Sequence, residues 1–136
     1  REEHLRQVTA ACNWGVKWVQ LRMKNSSNDA IYETARKAVK ICKPLGVTLV
    51  LNDHPEIAAD AQCDGVHVGK LDTPPRLARK IIGKRLLLGC TANSFKDVQN
   101  LCKEEIDYVG LGPWWHFNLR CSRTHATRPS RHCRIG

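Results

Sequence analysis

Apolar residues recur along this chain in two alternating patterns. Five segments place apolar residues three or four positions apart, as amphipathic helices do, and five shorter runs are almost wholly apolar, as buried strands are. The predicted helices span residues 2–14, 29–42, 55–62, 74–82 and 94–103. The predicted strands span residues 16–21, 47–51, 65–68, 86–89 and 106–111. Asn28 or Asp29 is the predicted cap of the second helix, and Thr73 that of the fourth.

Strict alternation of helix and strand predicts a parallel α/β sheet, because parallel neighbours need a crossover connection. Strands covered on both faces occur in open doubly wound sheets and in closed barrels. The periodicity of this chain does not separate the two architectures.

Acidic residues follow two successive predicted strands. Asp53 comes directly after the strand 47–51, and Asp72 lies just beyond the strand 65–68. Ligands bind at the carboxyl edge of parallel sheets, and two carboxylates there can share Mg²⁺ together with substrate phosphates. A purely structural alternative is a turn or cap role for Asp53 before Pro55, and a helix cap role for Asp72.

A second polar group ends the first predicted strand. Gln20, Arg22 and Lys24 alternate with apolar residues, so they share one side of the chain. Arg offers a planar fork of donors and Lys a point charge, and both suit phosphate oxygens. The alternative is a set of salt bridges at the rim of the sheet.

Three segments resemble the thiamine phosphate synthase family. The segment NDHPEIAADAQCDGVHVGKLD resembles its N-D and G-x-H-x-G-Q-x-D strand ends, GVKWVQLRMK its Q-L-R-x-K strand, and DYVGLGP its D-Y-[IV]-G-x-G-P strand. Matching runs cover residues 15–113 in the family's order. The resemblance implies a (β/α)₈ TIM barrel, here incomplete, with about five βα units and without the family's first strand and last two units.

The resemblance also implies an activity. Family members are transferases that condense hydroxymethylpyrimidine diphosphate with thiazole phosphate and release pyrophosphate, with Mg²⁺ as cofactor. The metal assists departure of pyrophosphate, and the thiazole nitrogen captures the resulting pyrimidinylmethyl cation, so no general base is demanded. Two alternatives stay open for this chain: an inactive truncated or degenerate member, or a protein similar to the related thiazole tautomerases, which handle no pyrophosphate.

The family pattern transfers to individual positions of this sequence. By resemblance Asp53 and Asp72 are the Mg²⁺ ligands, and the substrate-binding residues are Gln20, Arg22, Lys24, Asn52 and Thr91. Of these, Arg22 and Lys24 would hold the diphosphate, Gln20 and Thr91 would lie near the pyrimidine, and Asn52 would join the same substrate site.

Several positions keep a second interpretation. Thr91 can equally belong to a helix N-cap region, and Cys90 beside it lacks a partner His in any readable motif. His67 is expected to be a satisfied buried residue. Lys70 replaces the family's Gln, and its charge could weaken metal binding or reach phosphate.

Basic charge is distributed unevenly along the chain. Residues 1–113 hold 17 Lys and Arg against 13 Asp and Glu, whereas residues 114–136 hold five Arg and no acidic residue, within a net charge of +9. The segment 114–136 also loses all periodicity. We therefore divide the sequence into a partial barrel, 1–113, and a non-family segment, 114–136. A shifted reading frame, a truncated gene and a disordered basic tail are its three explanations.

Cysteine content and hydropathy predict the compartment. The seven cysteines include no C-x-x-C pair and fall mostly within apolar periodic segments, which favours reduced core residues. No apolar run approaches the ~20 residues of a membrane helix, and no secretory signal pattern is present. We expect a cytoplasmic protein with small-molecule substrates, no membrane partner and no nucleic-acid partner. Its oligomeric state is left open.

Overall fold

The computed structural model of this chain describes residues 2–112. Helices and strands alternate through this range, as the sequence predicts. The helices are α1 Glu2–Asn13, α2 Asn28–Cys42, α3 Pro55–Asp60, α4 Pro75–Ile82 and α5 Phe95–Leu101, with a 3₁₀ turn Lys43–Leu45 after α2. The strands are β1 Trp18–Leu21, β2 Thr48–Asn52, β3 Gly65–Val68, β4 Leu87–Ala92 and β5 Tyr108–Leu111.

The five strands form one sheet in which every neighbouring pair is parallel. The spatial order β1-β2-β3-β4-β5 repeats the order along the chain. A doubly wound sheet reverses its strand order at a switch point, and the part of the chain that the structure describes contains no such reversal. Crossovers of one hand that always advance in one direction place their helices on the same face of the sheet.

The two faces of the sheet have different compositions. The helix-covered face is apolar and belongs to the hydrophobic core, with side chains from four strands: Leu21, Leu49, Leu51, Val66, Val68, Leu88 and Cys90. The residues between them point to the opposite face, because side chains alternate along a strand. This opposite face, called the open face below, carries Trp18, Gln20, Val50, Asn52, His67, Thr91 and Tyr108.

Element ends differ from the prediction at several places. The strand β4 continues to Ala92, so Thr91 belongs to a strand and not to a helix cap region. Ser27 caps α2, since its hydroxyl accepts a hydrogen bond from the Ala30 amide at 3.3 Å. The N-cap position of α4 is Pro74, so the predicted cap at Thr73 is wrong. A proline at the start of a helix is preorganised and needs no amide partner there.

Cysteines of the described range are free thiols. Four of them are buried and one is exposed: Cys12, Cys42, Cys63, Cys90 and Cys102. The sulfurs of Cys12 and Cys42 lie 3.8 Å apart between α1 and α2. Within residues 2–112, no helix is both long and apolar enough to cross a membrane. The predicted basic segment 114–136 lies outside the residues that the structure describes.

Candidate active site at the carboxyl edge of the sheet

Asp53 occupies an uncommon backbone conformation directly after β2. Its φ is 71°, in the left-handed region that Asp and Asn tolerate better than most residues. Its amide donates to the carbonyl of His67 at 2.9 Å, which ties the end of β2 to β3. This bond holds the Asp53 carboxylate at the edge where both strands end.

Asp72 reaches the same edge from the loop after β3. Its Oδ2 accepts a hydrogen bond from the Gly69 amide at 2.7 Å. A Cβ at position 69 would lie 2.7 Å from that oxygen, so a larger residue there would displace the Asp72 carboxylate. The carboxylate therefore closes a turn within its own loop, and it does not cap α4.

The two carboxyl groups meet. Burial, a hydrogen bond from side chain to side chain and repulsion by Asp72 raise the pKa of Asp53 above its ordinary value, while Arg22 and His54 oppose the shift. The nearest cation contact joins Arg22 Nε to Asp53 Oδ2 at 3.9 Å. Two adjacent carboxylates with one weak cation contact form a locus of negative charge that a metal ion would neutralise.

The donor set fits a hard cation such as Mg²⁺. Carboxylate oxygens are its preferred protein ligands, and Mg²⁺ is usually bound by one or two carboxylates plus waters and phosphate oxygens. Within residues 2–112, no group of three or more His, Cys, Asp or Glu side chains could hold a metal ion. A site built on Asp53 and Asp72 thus depends on ligand oxygens to complete it.

An amide pair lies beside the carboxylates on the open face. Gln20 Nε2 donates to Asn52 Oδ1 at 2.6 Å, across the β1–β2 pair. Asn52 is 8% exposed, whereas Gln20 is exposed. The bond leaves the Gln20 carbonyl and the Asn52 amino group unused by each other. An acceptor and a donor side by side suit a planar ligand edge that presents one donor and one acceptor.

The predicted phosphate ligands lie beyond the end of β1. Arg22 and Lys24 are exposed, with buried Met23 between them. Arg22 contacts Asp53, and Lys24 has no ion pair with any residue in the range 2–112. Of the predicted rim salt-bridge set, the described residues thus show one member, the pair of Arg22 with Asp53, which is also a candidate metal ligand. Both cations are available to an anionic ligand.

Thr91 is joined to His67 and Tyr108 on the same face. His67 Nε2 lies 2.8 Å from Thr91 Oγ1, and His67 Nδ1 lies 3.1 Å from the Tyr108 hydroxyl. The helix cap interpretation of Thr91 is wrong, because the Ser94 hydroxyl accepts the Asp97 amide at the start of α5. His67 is 6% exposed and burial lowers its pKa, so the imidazole is a buried, satisfied and neutral group.

Tyr108 was not identified by sequence reasoning. Its ring lies across Gly89 of the neighbouring strand, where a Cβ would collide with it. Trp18 packs edge-on against the ring, with centroids 5.3 Å apart and an interplanar angle of 87°. Two features of the sequence could have pointed to Tyr108: the Asp-Tyr pair at the start of β5 and the glycine inside β4. A glycine within a strand often marks the close approach of another group.

Two further positions have definite surroundings. Lys70 Nζ pairs with Asp97 at 2.9 Å, and its hydrogen bond, together with those of the Asn93 amide and Ser94, lowers the pKa of Asp97 to about 2. The positive charge of Lys70 is therefore paired with Asp97. Cys90 is buried, and burial raises its pKa to about 11, so its thiol is not an activated nucleophile.

The known proteins that this chain resembles in sequence include thiamine-phosphate synthases. A model of the thiamine monophosphate synthase family matches residues 1–129. A thiamine-phosphate synthase of Phocaeicola vulgatus is 42% identical over 104 residues, which are 76% of this chain and 50% of that protein. The thiamine-phosphate synthase of Bacteroides fragilis is 39% identical over 82% of this chain and 54% of its own length.

A solved structure agrees with the five-stranded fold. The thiamine phosphate pyrophosphorylase of Pyrococcus furiosus superposes with a TM-score of 0.76 and 25% identity, over 80% of this chain and 54% of that chain. The chain spans about half the length of the relatives it matches. Its five parallel strands correspond to a half-barrel of such a structure. By the family match over most of its length, the chain belongs to the thiamine monophosphate synthase family.

Proposed function

We propose that this chain carries the pyrimidine diphosphate site of a thiamine phosphate synthase. The activity is that of a Mg²⁺-dependent transferase, which condenses hydroxymethylpyrimidine diphosphate with thiazole phosphate to give thiamine phosphate and pyrophosphate. Membership of the family and the names of the relatives support this activity. The observation that carries it for these residues is the contact between Asp53 and Asp72 beside Arg22.

The metal site would consist of Asp53 and Asp72. Mg²⁺ bound there would supply positive charge for the diphosphate as it leaves. Arg22 contacts Asp53, and Lys24 follows it two residues later along the chain. Both would bind further phosphate oxygens, Arg22 through its planar fork and Lys24 as a point charge. Their shared task is electrostatic stabilisation of the leaving group.

The amide pair would orient the pyrimidine. Gln20 and Asn52 offer one acceptor and one donor on the open face, and Thr91 offers a hydroxyl. In the reaction the C–O bond to pyrophosphate breaks and its electron pair leaves with the diphosphate. The nitrogen lone pair of the thiazole then forms the new C–N bond. Neither step removes a proton from carbon, so positioning accounts for the role of these residues.

The architecture extends this proposal. Five parallel strands, each lying next to its successor in the chain, suit a section of a (β/α)₈ barrel. We propose that the open face is the interior of that barrel. The division into 1–113 and 114–136 stays a prediction. A cytoplasmic location and small-molecule substrates follow from the proposed activity.

The full reaction provides the first test. The purified chain is incubated with both substrates and Mg²⁺, and thiamine phosphate is measured by mass spectrometry. Product formation that requires Mg²⁺ is expected. A matched control is Asp60→Asn, which changes an exposed carboxylate on α3 and should leave the rate unchanged.

Binding separates this function from the alternatives. Isothermal calorimetry with hydroxymethylpyrimidine diphosphate should show binding that depends on Mg²⁺. Binding of a thiazole phosphate ester without any response to Mg²⁺ or pyrophosphate would favour a tautomerase-like protein. A chain that binds neither ligand and yields no product would be an inactive family member.

A further inference from the structure

A row of three hydrogen-bonded side chains crosses β5, β3 and β4 on the open face. Tyr108 contacts His67 Nδ1, and His67 Nε2 contacts Thr91 Oγ1. Glycines make room for the row: a Cβ at Gly110 would lie 2.8 Å from His67 Cε1, and one at Gly89 would strike the Tyr108 ring. Both glycines lie within strands, where glycine is otherwise disfavoured.

The direction of these hydrogen bonds follows from proton counting. A neutral imidazole carries one N–H, so one ring nitrogen donates and the other accepts. Of the Tyr108 and Thr91 hydroxyl groups, the phenol of Tyr108 is the stronger acid and the poorer acceptor. Burial raises the pKa of Tyr108 above its ordinary value, so the phenol stays protonated. On this count Tyr108 is assigned as the donor to Nδ1, and the proton on Nε2 is assigned as donated to Thr91 Oγ1.

This arrangement fixes the role of Thr91. Because its oxygen accepts from His67, its own O–H is free to donate to another group. Thr91 is half-buried near the carboxyl end of β4, on the face that carries Asn52 and Gln20. We propose that Tyr108 and His67 are positioning residues that hold Thr91 as a hydrogen-bond donor to the bound pyrimidine diphosphate; the identity of this ligand rests on the proposed function.

The tautomer of His67 is directly measurable. Long-range proton–nitrogen NMR on the full chain, labelled with ¹⁵N in histidine at pH 8, reports which ring nitrogen is protonated. His67→Gln assigns the signal, since it removes only that imidazole. We expect the Nε2–H form in the wild-type chain and a mixture of both forms in Tyr108→Phe. A wild-type Nδ1–H form would overturn the proposal whether or not any ligand binds.

A double-mutant cycle tests the effect on the ligand. In calorimetry with hydroxymethylpyrimidine diphosphate and Mg²⁺, Thr91→Val and Tyr108→Phe should each weaken binding about three- to tenfold. The two effects should not add, because Tyr108 acts through Thr91. An undiminished effect of Tyr108→Phe in the Thr91→Val background would show that Tyr108 acts by another route and would overturn the proposal.

Trp18→Phe serves as the matched control. It alters the aromatic contact with the Tyr108 ring but removes no donor or acceptor of the hydrogen-bonded row, and it should change affinity less than twofold. Wild-type binding combined with an additive cycle would refute the positioning role alone. Absence of wild-type binding would refute the proposed function, and it would also remove the donor role assigned to Thr91.

Discussion

Aspartates lie at both the amino ends and the carboxyl ends of the strands, and their carboxylates have different partners at the two edges. At the amino ends, Asp64 Oδ2 accepts the Leu49 amide at 2.8 Å, and Asp107 Oδ2 accepts the Leu88 amide at 2.7 Å. Each of these aspartates also donates its own amide to the same leucine's carbonyl, at 2.9 and 2.8 Å. The same two hydrogen bonds between an aspartate and a leucine thus occur twice, and each pair helps to fix the register between neighbouring strands.

At the carboxyl ends the carboxylates are arranged differently. Asp53 and Asp72 face each other, and burial together with the Asp72 side chain raises the pKa of Asp53. One residue type therefore serves the fold at one edge and, in the proposed function, a metal ion at the other. The difference lies in the partners: at the amino edge each carboxylate accepts an amide of the neighbouring strand, whereas at the carboxyl edge the two carboxylates lie against each other. Barrel enzymes divide stability and chemistry between their two ends in the same way.

The largest expected effect is loss of the metal response. We expect Mg²⁺ with pyrophosphate to raise the melting temperature of the wild-type chain by several degrees, since a ligand bound only to the folded state stabilises it. Asp53→Asn or Asp72→Asn should abolish this rise, because each removes one of two carboxylate ligands. Asp60→Asn should preserve it. A full response in either site variant would place the metal elsewhere.

The second prediction concerns the amino edge. Asp107→Ala removes the acceptor of the Leu88 amide and the partner of Arg79, whose Nη2 lies 2.7 Å from the carboxylate. The free energy of unfolding in urea should fall by roughly 1–3 kcal/mol. The response to Mg²⁺ and pyrophosphate should remain intact. A variant that loses the response without losing stability would contradict the division between the two edges.

Much of the carboxyl edge was readable from the sequence. The positions of Asp53 and Asp72 follow from strand periodicity, since successive parallel strands end side by side. The left-handed conformation of Asp53 was not readable, because it depends on the bond between its amide and His67. Likewise Ser27, rather than the predicted Asn28 or Asp29, caps α2, since the choice between adjacent capping residues depends on local backbone geometry.

The row on the open face shows a second limit of sequence reasoning. His67, Thr91 and Tyr108 come from three strands, and their contact depends on register and on the space above Gly89. The predicted strand ended at residue 89, so Thr91 fell outside it. Hydrophobic periodicity locates a strand through its apolar positions. It does not detect polar residues that continue the strand on the open face, so the predicted strand is too short.

A third, smaller effect concerns pH without metal. A carboxyl group whose pKa is raised in the folded state favours folding when protonated. This contribution is lost as pH rises from the unfolded value of about 4 through the raised folded value. The stability of the wild-type chain relative to Asp53→Asn should therefore fall with rising pH over that window and then level off. Urea titrations at a series of pH values measure this difference, and a difference that rises with pH would contradict the raised pKa.

The smallest effect is expected at Lys70. Its ammonium is paired with Asp97, and the side chain is half exposed, so the pair is screened by solvent. Lys70→Gln, which restores the residue of the family pattern, should leave the Mg²⁺ affinity measured by calorimetry within twofold of wild type. Lys96→Gln is the matched control, since it removes an exposed lysine beside Asp97 without breaking that pair. A gain in Mg²⁺ affinity specific to Lys70→Gln would mean that the charge of Lys70 reaches the carboxyl edge despite Asp97, and the aspartate pair would then be tuned from the loop that carries Asp72.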